Sequence, residues 1–139
     1  MSFGRRLGID YGAARIGIAI CDVDGLVATP LITLRNDGKL LSELSKIIEE
    51  YSPTGIFLGK PLHLSGVEGA TVENVASFAE RLRNSFALPI TYVDERLTSS
   101  LASKSLRSAG KKSHESRGLI DQLAALSILE LGIQIEKSS

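Results

Sequence analysis

The alternation in residues 16–21 constrains the fold more than any other feature of this sequence. Isoleucine stands at every second position, and glycine, alanine and cysteine follow the three isoleucines in turn. A period of two is typical of a β-strand that buries one face in a core. The apolar residues 7–9 precede this segment across a short turn that contains Gly12, which favours a hairpin. We therefore predict two antiparallel strands at the start of the fold.

A third strand is predicted for residues 26–34. It follows a turn at residues 22–25, in which aspartate and glycine supply the unusual backbone angles. Pro30 has no amide hydrogen, and proline within a sheet is confined to edge strands or bulges. The first three strands should therefore form an antiparallel meander with the third at its edge.

The remaining sequence alternates between helical and strand patterns. In chain order, the predicted elements are a helix at 40–48, a strand at 56–59, a helix at 72–82, a strand at 89–94, a helix through Leu101 and Leu106, and a helix at 117–136 after a polar loop at 109–116. This order predicts an α/β fold with a mixed five-stranded sheet flanked by helices, in which the fourth and fifth strands run parallel to the first.

The composition is that of a soluble globular protein, with 139 residues, 43% of them hydrophobic and 23% charged. We predict a single domain spanning residues 1–139. No window approaches the ~18 uninterrupted apolar residues of a membrane span, and no secretory signal pattern is found. The one cysteine, Cys21, excludes an intramolecular disulfide and a cysteine-based zinc cluster. These features predict a cytoplasmic protein.

Positive charge is concentrated in one stretch, although the formal net charge is zero. Residues 96–117 contain six bases and one acid, Glu115. Local positive charge can bind phosphate even when the whole molecule is neutral. A solvated helix face and loop would carry the same charges, so charge alone leaves both interpretations open.

Three acids are brought to one edge of the sheet by the predicted topology. Asp10 ends the first strand, Glu95 follows the fifth, and Asp121 is the only charged residue between Arg117 and Glu130. The carboxyl ends of strands one, four and five should open on one rim, where open α/β sheets bind ligands. Taken singly, the acids have simpler interpretations: an Asx turn, a surface ion pair and the helix dipole, respectively. Their convergence favours a shared site.

Three carboxylates with no histidine or cysteine nearby form a hard-oxygen ligand set that suits Mg²⁺ or Mn²⁺. Two such ions, about 3.5–4 Å apart, support phosphodiester hydrolysis by preparing a water and stabilising the leaving oxygen. Asp10 would bridge the metals, and Glu95 and Asp121 would each complete one. The predicted phosphate-binding residues are basic side chains near the rim or in the basic stretch: Arg15, Lys60, Arg96, Lys111, Lys112 and Arg117.

Four segments resemble a known family. GIDYGAARIGIA, LGKPLHLSGVEG, VDERLTS and IDQLAALSILE occur in this order and together look like the YqgF/RuvX family of RNase H-like nucleases. The resemblance covers nearly the whole chain. It implies an RNase H-like fold, a cytoplasmic enzyme that acts on nucleic acid, and an acid triad that falls by motif on Asp10, Glu95 and Asp121.

The resemblance also implies two substrates, pre-16S ribosomal RNA and the Holliday junction. Of the two, we expect processing of the 5′ end of the RNA precursor in ribosome biogenesis. A symmetric DNA junction is best cut by a two-fold dimer, which makes the junction the less favoured substrate. The sequence shows no additional long apolar helix for dimerisation, so a monomer or weak dimer is expected. Two other classes stay open: a non-catalytic RNA-binding module, which the three acids disfavour, and a nucleotide phosphotransferase, which would need a second domain.

Overall fold

A computed structural model describes residues 3–60, 72–94 and 114–139, with side chains in the last range from residue 118 onward. In chain order, the elements are β1 (Arg6–Tyr11), β2 (Arg15–Cys21), β3 (Ala28–Arg35), α1 (Leu40–Tyr51), β4 (Gly55–Lys60), α2 (Val72–Ser85), β5 (Ile90–Asp94) and α3 (His114–Ser138). The elements predicted in these ranges are confirmed, with ends that differ by at most three residues. The predicted helix through Leu101 and Leu106 lies outside the described residues.

The five strands form one mixed sheet in the order β3-β2-β1-β4-β5. β1 pairs antiparallel with β2, and β2 with β3, whereas β4 joins β1 and β5 joins β4 in parallel. The predicted meander and the two later parallel strands are confirmed. Pro30 lies on the edge strand β3, close to a register shift between Ile18 and Ala19 of β2. An edge position and a bulge both accommodate a residue that cannot donate to the ladder.

The alternation of β2 separates two cores, one on each face of the sheet. Ile16, Ile18 and Ile20 are buried with residues of α1 and α2 in the larger core. Ala19 and Cys21 are buried with residues of α3 in the smaller core. The small members of the alternating pattern therefore lie under α3, and they let this helix approach the sheet closely.

At two points α3 crosses the meander with no side chain between its backbone and the strand. A Cβ at Gly8 of β1 would lie 2.5 Å from the carbonyl oxygen of Ala125, and a Cβ at Gly17 of β2 would overlap the backbone of Asp121. The helix contributes its own glycine at a third contact, where a Cβ at Gly132 would lie 2.5 Å from a phenylalanine ring of β4. Glycine at these positions therefore sets the distance between the helix and the sheet.

Charged contacts join the C-terminal end of α3 to the end of the sheet at which β1 begins. Arg6, the first residue of β1, forms an ion pair of 3.0 Å with Glu136 and stacks over the ring of Phe3, 4.1 Å from its centroid. Lys137 lies 5.2 Å from the same ring centroid. Its Nζ donates hydrogen bonds of 2.8 and 2.9 Å to carbonyl oxygens of the β2–β3 turn. These contacts join the residues before β1, the β2–β3 turn and the C-terminal end of α3.

α3 begins at His114, three residues before the predicted start at Arg117, so the predicted polar loop ends sooner than expected. Residues 114–117 contain no proline or glycine that would stop a helix, and Glu115 stands in the first turn, where the helix dipole favours an acid. Polarity alone therefore predicts the wrong boundary, because the first turn of a helix can also be polar.

The described part of the chain contains one helix segment, Gly118–Ser138, that is long and apolar enough to cross a membrane by length and composition, with a mean hydropathy of 1.4. In this fold, some of its apolar side chains have another explanation. Ala125, Ile128 and Leu129 are buried against the sheet, at 0–1% exposure. Leu119 and Ile135 of the same helix are exposed, so packing on the sheet explains part of its hydropathy.

Replacing Gly8 by alanine should destabilise the protein. The added methyl group would lie 2.5 Å from the carbonyl oxygen of Ala125 and 2.6 Å from Cβ of Leu129, so either the helix or the strand must move. Overpacking of this kind costs about 1–3 kcal/mol. Chemical denaturation followed by circular dichroism should show a decrease of that size in the free energy of unfolding.

Gly38→Ala is the matched control, because nothing lies within 4 Å of a Cβ at that position. It should leave the free energy of unfolding unchanged or raise it by up to about 1 kcal/mol, since alanine restricts the unfolded chain. Equal stability of the two variants would contradict the close contact between α3 and β1.

Candidate active site

Asp10 and Asp121 come together on the face of the sheet that α3 covers. Gly8 faces α3, and Asp10, two residues further along β1, lies on the same face because strand residues alternate. Asp10 pairs with Gly17 of β2, and the backbone of Asp121 lies against Gly17. The two predicted site acids therefore approach one glycine from two directions, at the carboxyl end of β1.

Arg15 is an ion-pair partner of Asp121. Its Nε donates a hydrogen bond of 2.7 Å to Oδ2 of the carboxylate. The side chain of Arg15 is 40% exposed and that of Asp121 is 19% exposed, so the pair lies at the edge of the solvent. Hydrogen bonds between charged groups are shorter and roughly twice as strong as neutral ones. Arg15 thus compensates the charge of Asp121 and fixes the direction of its carboxylate.

The helix dipole does not account for Asp121. Because α3 begins at His114, Asp121 stands in the third turn of the helix, whereas the dipole acts within the first turn. The simpler interpretation of this acid is therefore wrong, and Arg15 supplies the compensating charge. This contact uses one of the five N–H donors of the guanidinium, so the others could still bind a phosphate. The phosphate-binding role of Arg15 stays a prediction.

Polar contacts from β3 hold the part of α3 that carries Asp121. The hydroxyl of Thr33 donates a hydrogen bond of 2.6 Å to the carbonyl oxygen of Gly118. Nε2 of Gln122 donates one of 3.1 Å to the same hydroxyl oxygen. These bonds bracket Asp121 in sequence and tie its helical turn to the edge strand. No sequence signal indicates Thr33, because a strand threonine that supports a helix looks the same as one that faces water.

The turn between β1 and β2 is held in a similar way. Nδ2 of Asn36 donates a hydrogen bond of 2.8 Å to the carbonyl oxygen of Gly12, and its backbone N–H donates one of 3.0 Å to the carbonyl oxygen of Ala14. Asp10 and Arg15 stand on either side of this turn, so Asn36 helps to fix both. Asparagine just after a predicted strand could have indicated such a role, since its side chain often bonds to turn backbone.

Four predicted site residues, Glu95, Arg96, Lys111 and Lys112, lie outside the described residues, and so does the side chain of Arg117. Among the described residues there is no group of three or more acids, histidines or cysteines placed to hold a metal ion. β5 ends at Asp94, which pairs with Lys60 at the end of β4. The position before Glu95 is therefore at the same rim as Asp10, and the role of Glu95 as a ligand stays a prediction.

Lys60 lies at the predicted rim but belongs to the other face of the sheet. It follows Leu58 by two residues, and Leu58 is buried in the core beneath α1 and α2. Its Nζ lies 5.5 Å from the ring centroid of Tyr92, which packs against the same core. Lys60 therefore does not share a face with Asp10 and Asp121, and its predicted contact with phosphate would have to be made from beyond the strand end.

Two pKa shifts near the sheet lie at the end opposite this rim. Burial raises the pKa of the Cys21 thiol, at the end of β2. Hydrogen bonds from the backbone N–H groups of Val27 and Leu26 lower the pKa of Asp22. Both shifts follow from local packing and turn geometry, so these groups show no connection to the candidate site.

Comparison with known proteins agrees with the resemblance in the sequence. The RuvX family model, described as Holliday junction resolvase, matches residues 4–134. A relative from Streptomyces avermitilis with the name "Putative pre-16S rRNA nuclease" is 42% identical over 142 residues, which cover 100% of this chain and 91% of the relative. A relative of the same name from Mycobacterium tuberculosis is 43% identical over 130 residues, covering 91% of this chain and 76% of the relative.

Two solved structures of Thermus thermophilus RuvC share the fold. The one in complex with a Holliday junction substrate has a TM-score of 0.63 at 13% identity, covering 98% of this chain and 97% of that one. The other has a TM-score of 0.62 at 13% identity, covering 96% of each chain. The predicted RNase H-like fold is thereby confirmed. With a family model that spans almost the entire sequence and relatives above 40% identity, this chain belongs to the RuvX family.

Proposed function

We propose that this protein is a metal-dependent endonuclease that hydrolyses phosphodiester bonds of nucleic acid, with residues 1–139 as one nuclease domain in the cytoplasm. The observation that carries the proposal is the approach of Asp10 and Asp121 to Gly17, at the rim formed by the carboxyl ends of β1, β4 and β5. Open α/β sheets bind their ligands at such a rim. Relatives named as pre-16S rRNA nucleases support the same class of reaction.

The chemistry of the donors fits a hard divalent cation. Carboxylate oxygens are preferred ligands of Mg²⁺ and Mn²⁺, and Asp10 and Asp121 present them from a strand and a helix that are packed together. We infer that Glu95, which follows Asp94 at the end of β5, completes the set. When bound, the metal ions would activate a water as the nucleophile and stabilise the departing oxygen.

The residues of the chain itself would orient this reaction. Asp10 belongs to the central strand, and its backbone is fixed by pairing with Gly17, so its carboxylate would hold metal from a defined position. Arg15 directs the carboxylate of Asp121 through Nε, and its partly exposed guanidinium would also contact a substrate phosphate. More distant phosphates would be held by the other predicted basic residues, Lys60, Arg96, Lys111, Lys112 and Arg117.

We propose RNA as the substrate, and specifically the 5′ end of pre-16S ribosomal RNA during ribosome biogenesis. The names of relatives above 40% identity support this choice. Cleavage of a four-way DNA junction is a second candidate, which the description of the family model and the fold of RuvC favour. The protein would act as a monomer or weak dimer, and a two-fold dimer would favour the junction.

Asp10→Asn should abolish metal-dependent cleavage without unfolding the protein. The amide keeps the shape of the side chain but removes the charge that would hold the metal ions. Loss of an outer-shell partner of a metal ligand already costs about 10–100-fold, so the loss of a ligand should cost at least about 100-fold. Cleavage of labelled RNA spanning the precursor 5′ end, in Mg²⁺ or Mn²⁺, gives the rate, and circular dichroism checks the fold.

Asp24→Asn is the control, because this exposed acid lies in the β2–β3 turn at the opposite end of the sheet. It should cleave at the wild-type rate. A four-way DNA junction tested under the same conditions separates the two candidate substrates. Equal cleavage by wild type and Asp10→Asn would contradict the proposed nuclease site, and cleavage of the junction alone would replace RNA with DNA.

Thr33→Val should loosen the helical turn that carries Asp121. It removes the hydroxyl that bonds to Gly118 and Gln122, which should lower the free energy of unfolding by about 1 kcal/mol. Displacing a reactive group by 1 Å can cost up to about 100-fold in rate, so cleavage under conditions where the variant is fully folded should also fall. Thr29→Val, an exposed position of the same strand, is the control and should retain both properties.

A further inference from the structure

Arg35 ends β3 directly opposite Arg15 at the start of β2. Side chains of directly opposed residues in an antiparallel pair project from the same face of the sheet. Arg15 reaches Asp121 on the face covered by α3, so Arg35 lies on that face as well. Its strand end belongs to the same rim as Asp10, because the carboxyl end of β3 and the amino end of β2 meet there.

The charges of this cross-strand pair are compensated unequally. Like charges directly opposite each other in a sheet are destabilising. Arg15 has Asp121 as its partner, at 2.7 Å. Arg35 is exposed, and among residues 3–60, 72–94 and 118–139 no acid forms an ion pair with it. An arginine held beside another arginine at a candidate nuclease site provides positive charge to which an anion from outside could bind.

The backbone that carries Arg35 is also fixed. The next residue, Asn36, bonds through its side chain and its backbone N–H to the turn between β1 and β2. The backbone of Arg35 is therefore held by its pairing with β2 and by the bonds from Asn36 to the β1–β2 turn. A guanidinium presents N–H groups in a planar fork that matches the oxygens of a phosphate, and it stays charged at any pH the protein would meet.

We propose that Arg35 binds a backbone phosphate of the nucleic-acid substrate, beside the phosphate contacted by Arg15. This inference rests on the proposed function, since it extends the same site toward β3 and names a substrate contact that neither motif nor charge clustering indicated. The contact is with phosphate and not with a base, so it strengthens binding independently of sequence. It places one side of the substrate path over the ends of β2 and β3.

The salt dependence of RNA binding tests this contact directly. The affinity for a labelled single-stranded RNA is measured in EDTA, which stops metal-dependent cleavage, over a series of KCl concentrations. Each phosphate contact contributes about 0.7 to the slope of log K against log salt for a single strand. Arg35→Ala should therefore lower the slope by about 0.7. With metal present, the same variant should raise KM and leave kcat unchanged, as expected for lost binding that is equal in ground and transition states.

Two further variants make the result specific. Arg81→Ala removes the same charge from an exposed position near the end of α2 that leads to β5, away from the rim, and should keep the wild-type slope. Arg35→Lys keeps the charge and should restore most of the slope. A wild-type slope for Arg35→Ala, or an equal decrease for Arg81→Ala, would overturn the inference.

The test separates this inference from the proposed function. If wild type cleaves RNA in an Asp10-dependent way but Arg35→Ala keeps the full slope, the nuclease stands and the Arg35 contact is wrong. If Arg35→Ala lowers the slope but wild type cleaves neither RNA nor DNA with metal, the Arg35 contact is supported and the proposed nuclease activity is wrong. The protein would then bind nucleic acid without cutting it. If wild type does not bind RNA or DNA at any salt concentration, the contact is overturned.

Discussion

The close approach of α3 to β1 and β2 is the constraint on which the rest of the structure depends. Gly8 and Gly17 remove the side chains that would otherwise separate helix and sheet. The helix backbone therefore rests on the strand residue that pairs with Asp10, which brings Asp121 to the same place. The isoleucines of β2 serve the other core. One alternating segment thus builds a stable interior on one face and a narrow helix contact on the other.

Local pattern predicted most of this arrangement. The period of two in β2 predicted the meander, and right-handed connections placed the later strands beside β1, as observed. Small residues follow Asp121 at helical spacing, which suits close packing, and the carbonyl of Ala125 approaches Gly8. The juxtaposition of Asp10 and Asp121 could therefore be derived from the amino-acid sequence, because it depends on strand order and on residue size, which local sequence determines.

The contacts that support the acids could not be derived in the same way. Arg15 on Asp121 and Thr33 on Gly118 depend on where α3 stands along the sheet, and no local pattern sets that offset. The face of the sheet on which Lys60 lies could not be predicted for a different reason. β4 is buried on both faces over its first five residues, so it shows no alternation from which the direction of its last side chain could be inferred.

The edge position of β3 has a consequence for how this protein meets other molecules. The outer side of an edge strand offers unpaired backbone groups to any neighbouring chain, which is a common start of aggregation. Pro30 lacks the amide hydrogen that such pairing needs, and the irregular register beside it bends the strand away from a flat template. Pro30 and the register shift together interrupt the edge that β3 would otherwise offer to another strand.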